Sequence, residues 1–150
     1  MVNSRAKGRR GELEVAKLLS VALETECKLN YAQSAHSGYD LAVFGWAVEV
    51  KRAEKPEWNA WFAQALGNAQ RDRLMPVLFH RANHARGWDV YMPVAVFLVV
   101  WGGAGPFNEH DWLRVSFDVA VATMKRVSEA QKNPGDKPGL NTHMTQKETT

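Results

Sequence analysis

Apolar residues recur at helical spacing near the start of the chain. Val15, Ala16, Leu19, Ala22 and Leu23 fall on one stripe of a helix predicted from Ser4 to about Leu23, with neither Pro nor Gly after Gly11 to interrupt it. Glu12 lies on that stripe, because Val15, Ala16, Leu19 and Leu23 follow it at i+3, i+4, i+7 and i+11. Glu14, two residues on, is turned away by about 200°. Glu12 is therefore the candidate inward-facing acid.

The period then changes. Asp40–Phe44 and Ala47–Ala53 favour strands and are separated by Gly45-Trp46, which spells a hairpin whose leading glycine suits a type II′ connection. That turn predicts Phe44 opposite Ala47, Val43 opposite Val48, Ala42 opposite Glu49, Leu41 opposite Val50 and Asp40 opposite Lys51. Side chains alternate faces, so Asp40, Glu49 and Lys51 emerge on one side and Leu41, Val43, Val48 and Val50 on the other.

Pro56 opens a second helix to about Arg73, with Trp58, Trp61, Phe62, Ala65 and Ala69 on its apolar stripe and Gln64, Asn68 and Arg71 on a neighbouring polar one. Val77–Arg81 and Trp88–Met92 read as strands around a basic loop, Ala82–Gly87. Val94–Trp101 fits either a buried strand or a short helix begun by Pro93. Ser116 is a candidate N-cap for a helix to about Gln131. The order of elements predicts an α/β fold, a mixed β-sheet flanked by helices. Residues 1–132 form the expected domain, and 133–150, with little to bury, an expected disordered tail.

Composition changes this picture only slightly. A chain of 150 residues, 45% hydrophobic and 23% charged, suits one domain with its own core. The single cysteine, Cys27, excludes an intrachain disulfide, and the basic N-terminus leads into no apolar signal core, which points to the cytoplasm. Val94–Trp101, the longest apolar run, falls far short of the ~20 residues needed to span a bilayer. Net charge is +3, with cations gathered in Met1–Arg10 and again from Arg71 to Arg86. Such runs suit a polyanion but are common on plain solvated surface.

The chemistry lies on the charged hairpin face. Two carboxylates with a third acid nearby suit Mg²⁺ or Mn²⁺, which prefer hard oxygen ligands, and the Val50 carbonyl offers a further oxygen. Lys51 can hydrogen-bond an attacking water or a phosphate oxygen. Glu-x-Lys alone is common by chance, and Glu26-Cys27-Lys28 is a second copy that lacks a hairpin and a partnered aspartate. His80 and His84 have i, i+4 spacing, but His80 falls on a predicted strand, so they make no zinc pair.

Lys7-Gly8-Arg9-Arg10-Gly11-Glu12, Gly38-Tyr39-Asp40, Val48-Glu49-Val50-Lys51-Arg52 and Gln64 on the next helix together resemble the PD-(D/E)xK nuclease superfamily. Within it they are most similar to Holliday junction resolvase-like enzymes of archaea, bacteria and phages, over about Ser4–Met92. Tyr39 stands where the family name has proline, and Gln64–Asn68 lacks the tyrosine of the Gln-x-x-x-Tyr motif of the exonuclease branch. The resemblance implies a restriction-endonuclease-like core and a Mg²⁺-dependent endonuclease leaving a 5′-phosphate and a 3′-hydroxyl. It also implies Glu12, Asp40 and Glu49 as the metal set with Val50 beside them, Lys51 as catalytic lysine and Gln64 as its support. Arg5, Lys7, Arg9, Arg10, Ser37, Arg52 and Arg81 are the expected DNA contacts. Symmetrical cutting of a four-way junction with one site per chain requires a homodimer. The alternatives are a nicking or restriction-like nuclease on duplex DNA, and a DNA-binding module without turnover.

Overall fold

The computed structural model describes residues 3–31, 38–103, 105, 108 and 110–133. Residues 134–150, nearly all of the expected tail, lie outside the described residues, as does Ser37. The chain forms α1 (Ser4–Ala22), β1 (Leu41–Val43), β2 (Trp46–Arg52), α2 (Trp58–Arg71), β3 (Met75–Arg81), β4 (Asp89–Pro93), α3 (Val94–Trp101), β5 (Trp112–Val115) and α4 (Phe117–Lys132). The five strands make one mixed sheet in sequence order, in which β2 and β3 run parallel across α2 and the other neighbours are antiparallel. This is the α/β architecture that the sequence pattern predicts.

Alternation along the strands divides the interior in two. Trp46 and Val48 of β2, Val77 and Phe79 of β3, and Val90 and Met92 of β4 meet Val15 and Leu19 of α1 and Ala120 and Met124 of α4. On the other face, Leu78 packs with Trp61 and Ala65 of α2, bordered by Trp58, Phe62, Tyr91 and Trp112. Apolar burial on both faces is the main stabilising term, at about 25 cal/mol per Å² removed from water. The caps are local and polar: the Asn3 side chain accepts the Arg5 N–H of α1, and Ser116 accepts the Val119 N–H of α4.

The hairpin turns one residue earlier than the sequence pattern predicts. Its loop is Phe44-Gly45, both at positive φ (51° and 80°), as in a type I′ turn. The register is Leu41 with Val48, Ala42 with Ala47 and Val43 with Trp46. Trp46, assigned to the turn by its sequence, is instead the fully buried first residue of β2. Burying so large a side chain is worth about 3 kcal/mol, more than the 1–2 kcal/mol cost of a left-handed residue at Phe44. The shift is two positions in pairing, so each side chain keeps the face predicted for it.

Of the two readings of Val94–Trp101 the structure takes the helix, and one strand beyond it goes unmarked by the pattern. Val94–Trp101 is a helix, with Pro93 as its N-cap and Gly102 in the left-handed conformation at its end. Trp112–Val115, which the pattern does not separate from the preceding Gly/Pro-rich break, is a fifth strand paired with β4. Among the described residues no helix is long and apolar enough to cross a membrane.

Candidate active site

Asp40 stands at the end of β1, where that strand parts from β2. Its backbone N–H donates to the Val48 carbonyl at 2.9 Å, its carbonyl accepts the Asn30 N–H at 2.7 Å, and its Oδ2 accepts the Val50 N–H at 2.7 Å. The side chain thus closes the sheet edge where a further strand residue would have bonded. A strand residue presents its N–H and C=O to the same neighbour, so the Val50 carbonyl is directed to this side as well.

Glu49 and Lys51 are next but one along β2 and share the face turned to α2. Glu49 is only 3% exposed. The Lys51 Nζ lies 2.7 Å from Glu49 Oε1 and donates to Gln64 Oε1 at 3.1 Å, which ties β2 to α2. The other Glu49 oxygen, Oε2, is buried and without a hydrogen-bond partner. Asp40, Glu49, Lys51 and Gln64, four of the residues singled out from sequence, therefore form one group.

Its electrostatics follow from burial of like charges. The Asp40 carboxyl is pushed up to about 7 by desolvation first and then by the Glu49 carboxylate, with Glu12 adding to the rise and the Val50 N–H and Lys51 opposing it. Glu49 is also raised by burial, against the pull of Lys51. Glu12, on α1, adds to the negative field at both acids, and its Oε2 lies 3.4 Å from Arg9. Glu12 and Asp40 line a cleft of about 400 Å³ with Arg9, Asn30, Tyr31, Gly38 and Tyr39. The Arg9 guanidinium lies 4.4 Å from the centre of the Tyr31 ring.

The basic residues divide into two groups. Arg5 and Arg10 are exposed and Lys7 is half-buried, all in the first two turns of α1. A helix prefers acids in its first turn, yet α1 has none there, so these cations add to the positive end of the helix dipole. Arg81 and Arg52 do otherwise. Arg81, expected to meet phosphate, is held on both sides: its guanidinium is bidentate to Glu14, with Nη2 to Oε2 at 2.7 Å, and lies 4.4 Å from the centre of the Trp88 ring. Trp88 Nε1 also donates to Glu14, at 3.1 Å. Glu14, which helical geometry turns away from Glu12, is thus the anchor of α1 on β3 and carries a lowered pKa, chiefly through its hydrogen bonds with Arg81. Arg52 packs its aliphatic stem over Gly11, where a Cβ would come within 2.7 Å of Arg52 Cδ, and its Nε is buried without a partner. His80 lies on β3, with Nε2 at 2.9 Å from the Ala53 carbonyl and its ring against Trp58 and Trp61.

Sequence reasoning placed Asn68 on the polar stripe with Gln64 but gave it no part in the site. It is 8% exposed, lies one turn beyond Gln64 on α2, and its Nδ2 is buried without a hydrogen-bond partner. Its signal was its i+4 spacing from Gln64.

No group of three or more His, Cys, Asp or Glu side chains stands close enough together, among the described residues, to hold a metal ion. The donor set nevertheless fits a hard cation in kind: two buried carboxylates, both raised by burial and by the Glu12 charge, with Asp40 raised by the Glu49 charge as well. Comparison with protein-family models, curated proteins and solved structures finds no match to this chain.

Proposed function

We propose that the protein is a metal-dependent DNA endonuclease, with branched DNA such as a four-way junction as its substrate and a homodimer as its working form. The observation that carries this reading is the grouping of Asp40, Glu49, Lys51 and Gln64 beside one strand end, with Glu12 near enough to act on both acids. An accidental Glu-x-Lys salt bridge would not explain a buried glutamate with an orphan oxygen, nor an aspartate forced up to about 7 beside it.

Asp40 and Glu49, with the Val50 carbonyl and Glu12 beside them, would hold Mg²⁺ or Mn²⁺. Such an ion, when bound, makes a nucleophilic hydroxide available near neutral pH and neutralises charge on the phosphodiester. Lys51 has three ammonium donors, two of them engaged by Glu49 and Gln64. The third is available to a phosphate oxygen or to the attacking water. Gln64 fixes the lysine's direction. Arg5, Lys7 and Arg10, at the positive end of α1, supply attraction for the DNA backbone. A cytoplasmic setting suits such a substrate and remains part of the proposal.

The test is cleavage of labelled four-way, flapped and linear duplex DNA with Mg²⁺, Ca²⁺ or chelator, beside Asp40→Asn and Lys51→Ala. Mg²⁺-dependent paired nicks in the junction, lost in both variants, are the expected result. Equal cutting by both variants and the parent sinks the reading. A protein that remains monomeric at micromolar concentration with junction DNA removes the dimer.

A further inference from the structure

Resting on that reading of the site, we infer that Asn68 is a positioning residue that holds the Glu49 carboxylate in its metal-binding orientation through the oxygen that Lys51 leaves free. Two complementary buried groups in this part of the molecule lack partners. Glu49 Oε2 is a buried acceptor with no donor, and Asn68 Nδ2 is a buried donor with no acceptor. The bond from Lys51 to Gln64 sets the placement: Asn68 is one helical turn beyond Gln64 on α2, and Glu49 is two residues before Lys51 on the same face of β2, so the amide and the carboxylate occupy neighbouring positions. Leaving either group unpaired in the interior is costly, and both are more than nine-tenths buried.

The helix around Asn68 shows what packing alone would select. Ala65 and Ala69 are buried small apolar residues on the same stretch of α2, and an apolar residue at 68 would remove the orphaned amide. Gln64 sits one turn earlier and already holds Lys51. The two amides of α2 therefore address the two charged groups of β2 in order, Gln64 the ammonium and Asn68 the carboxylate. With Oε1 fixed by Lys51, a donor at Oε2 leaves the carboxylate one plane in which to meet a cation, and groups that orient a ligand in this way typically change metal affinity about 10–100-fold when removed.

The experiment uses Mn²⁺ as the probe on the full chain, with Asn68→Leu and parent compared by calorimetric Mn²⁺ titration and by melting in chelator. The expected result is at least a tenfold loss of Mn²⁺ affinity with a melting temperature equal to or above that of the parent, since leucine relieves the unpaired amide. Asn68→Gln, which restores a donor, is expected to recover part of the affinity. Mn²⁺ affinity within twofold of the parent in Asn68→Leu overturns the inference and leaves the nuclease reading standing. Should the leucine variant not fold, Asn68→Ala answers the same question, alanine being the residue at 65 and 69. A parent that neither binds Mn²⁺ nor cuts DNA overturns both.

Discussion

Asp40 Oδ2 accepts the backbone N–H of Val50 at 2.7 Å, so an acid proposed for catalysis also completes the sheet edge. Asn at position 40 keeps an oxygen for that bond and loses the charge. Asp40→Asn is therefore expected to fold normally while cutting at least 100-fold more slowly, measured on labelled junction DNA beside circular dichroism. Asp40→Ala loses the bond as well and is expected to melt lower than Asp40→Asn, by about 1 kcal/mol.

The same residue sets a pH dependence. An acid whose folded pKa is raised from 3.8 to about 7 binds its proton more tightly when folded. Its contribution to stability is complete below the unfolded value and is lost as pH rises to about 7, with about 1.4 kcal/mol at most for each pH unit. In chelator the parent is expected to melt lower at pH 8 than at pH 5. Asp40→Asn flattens that slope, and Mg²⁺ at pH 8 restores the parent far more than the variant. A parent melting profile in chelator that does not fall between pH 5 and 8 contradicts this account.

Lys51 neutralises a glutamate that water barely reaches. Removing one partner of a buried pair leaves the other charge stranded, a loss of about 3–5 kcal/mol. Lys51→Ala is expected to abolish cutting and to destabilise the fold at pH 8, with less effect as the pH falls, because burial makes the Glu49 carboxyl take up a proton more readily. Glu49→Gln in the same chain restores stability without restoring activity, which denaturant titration of the double variant measures.

Arg81 and the N-terminal cations separate in their effects on DNA. Arg81 is held by Glu14 and Trp88, so Arg81→Ala is expected to cost about 1 kcal/mol of stability, allowing for solvent screening at the half-exposed Glu14, and to leave the salt dependence of DNA binding unchanged. Lys7→Ala with Arg10→Ala does the reverse. It leaves the melting temperature within a degree or two and reduces the slope of log affinity against log salt by about 1 for each phosphate that is no longer neutralised. A lower slope in Arg81→Ala shows that the guanidinium leaves Glu14 for phosphate.

Gly45 combines a φ of 80° with the α4 side chain of Gln131, whose Nε2 would be 2.6 Å from an added Cβ. Gly45→Ala is expected to destabilise the protein by about 1–2 kcal/mol, readable in thermal melts.

Much of the site was legible because it depends on parity and period rather than on register. Glu12 could be placed by its spacing to Val15 and Leu19, and Gln64 by its stripe on α2, since both follow from helical geometry alone. Asp40, Glu49 and Lys51 are expected on one face in any hairpin with this parity, so a turn assigned one residue too late leaves that expectation unchanged. What the sequence did not disclose was tertiary. Trp46 enters the strand because the core has room for it, Arg81 turns inward because Glu14 and Trp88 meet it there, and Asn68 matters only through what stands opposite. β5 is four residues long, too short for alternation to mark it off from the break before it.

The parity of the hairpin that carries Asp40 and Glu49 has a consequence for how it tolerates change. Lengthening or shortening the bend by a pair of residues would carry the acid along the strand while leaving it on the reactive flank. A single insertion between Val43 and Trp46 would swing it through the sheet into the apolar layer beneath α1, and the chain would have to expel either the charge or the fold.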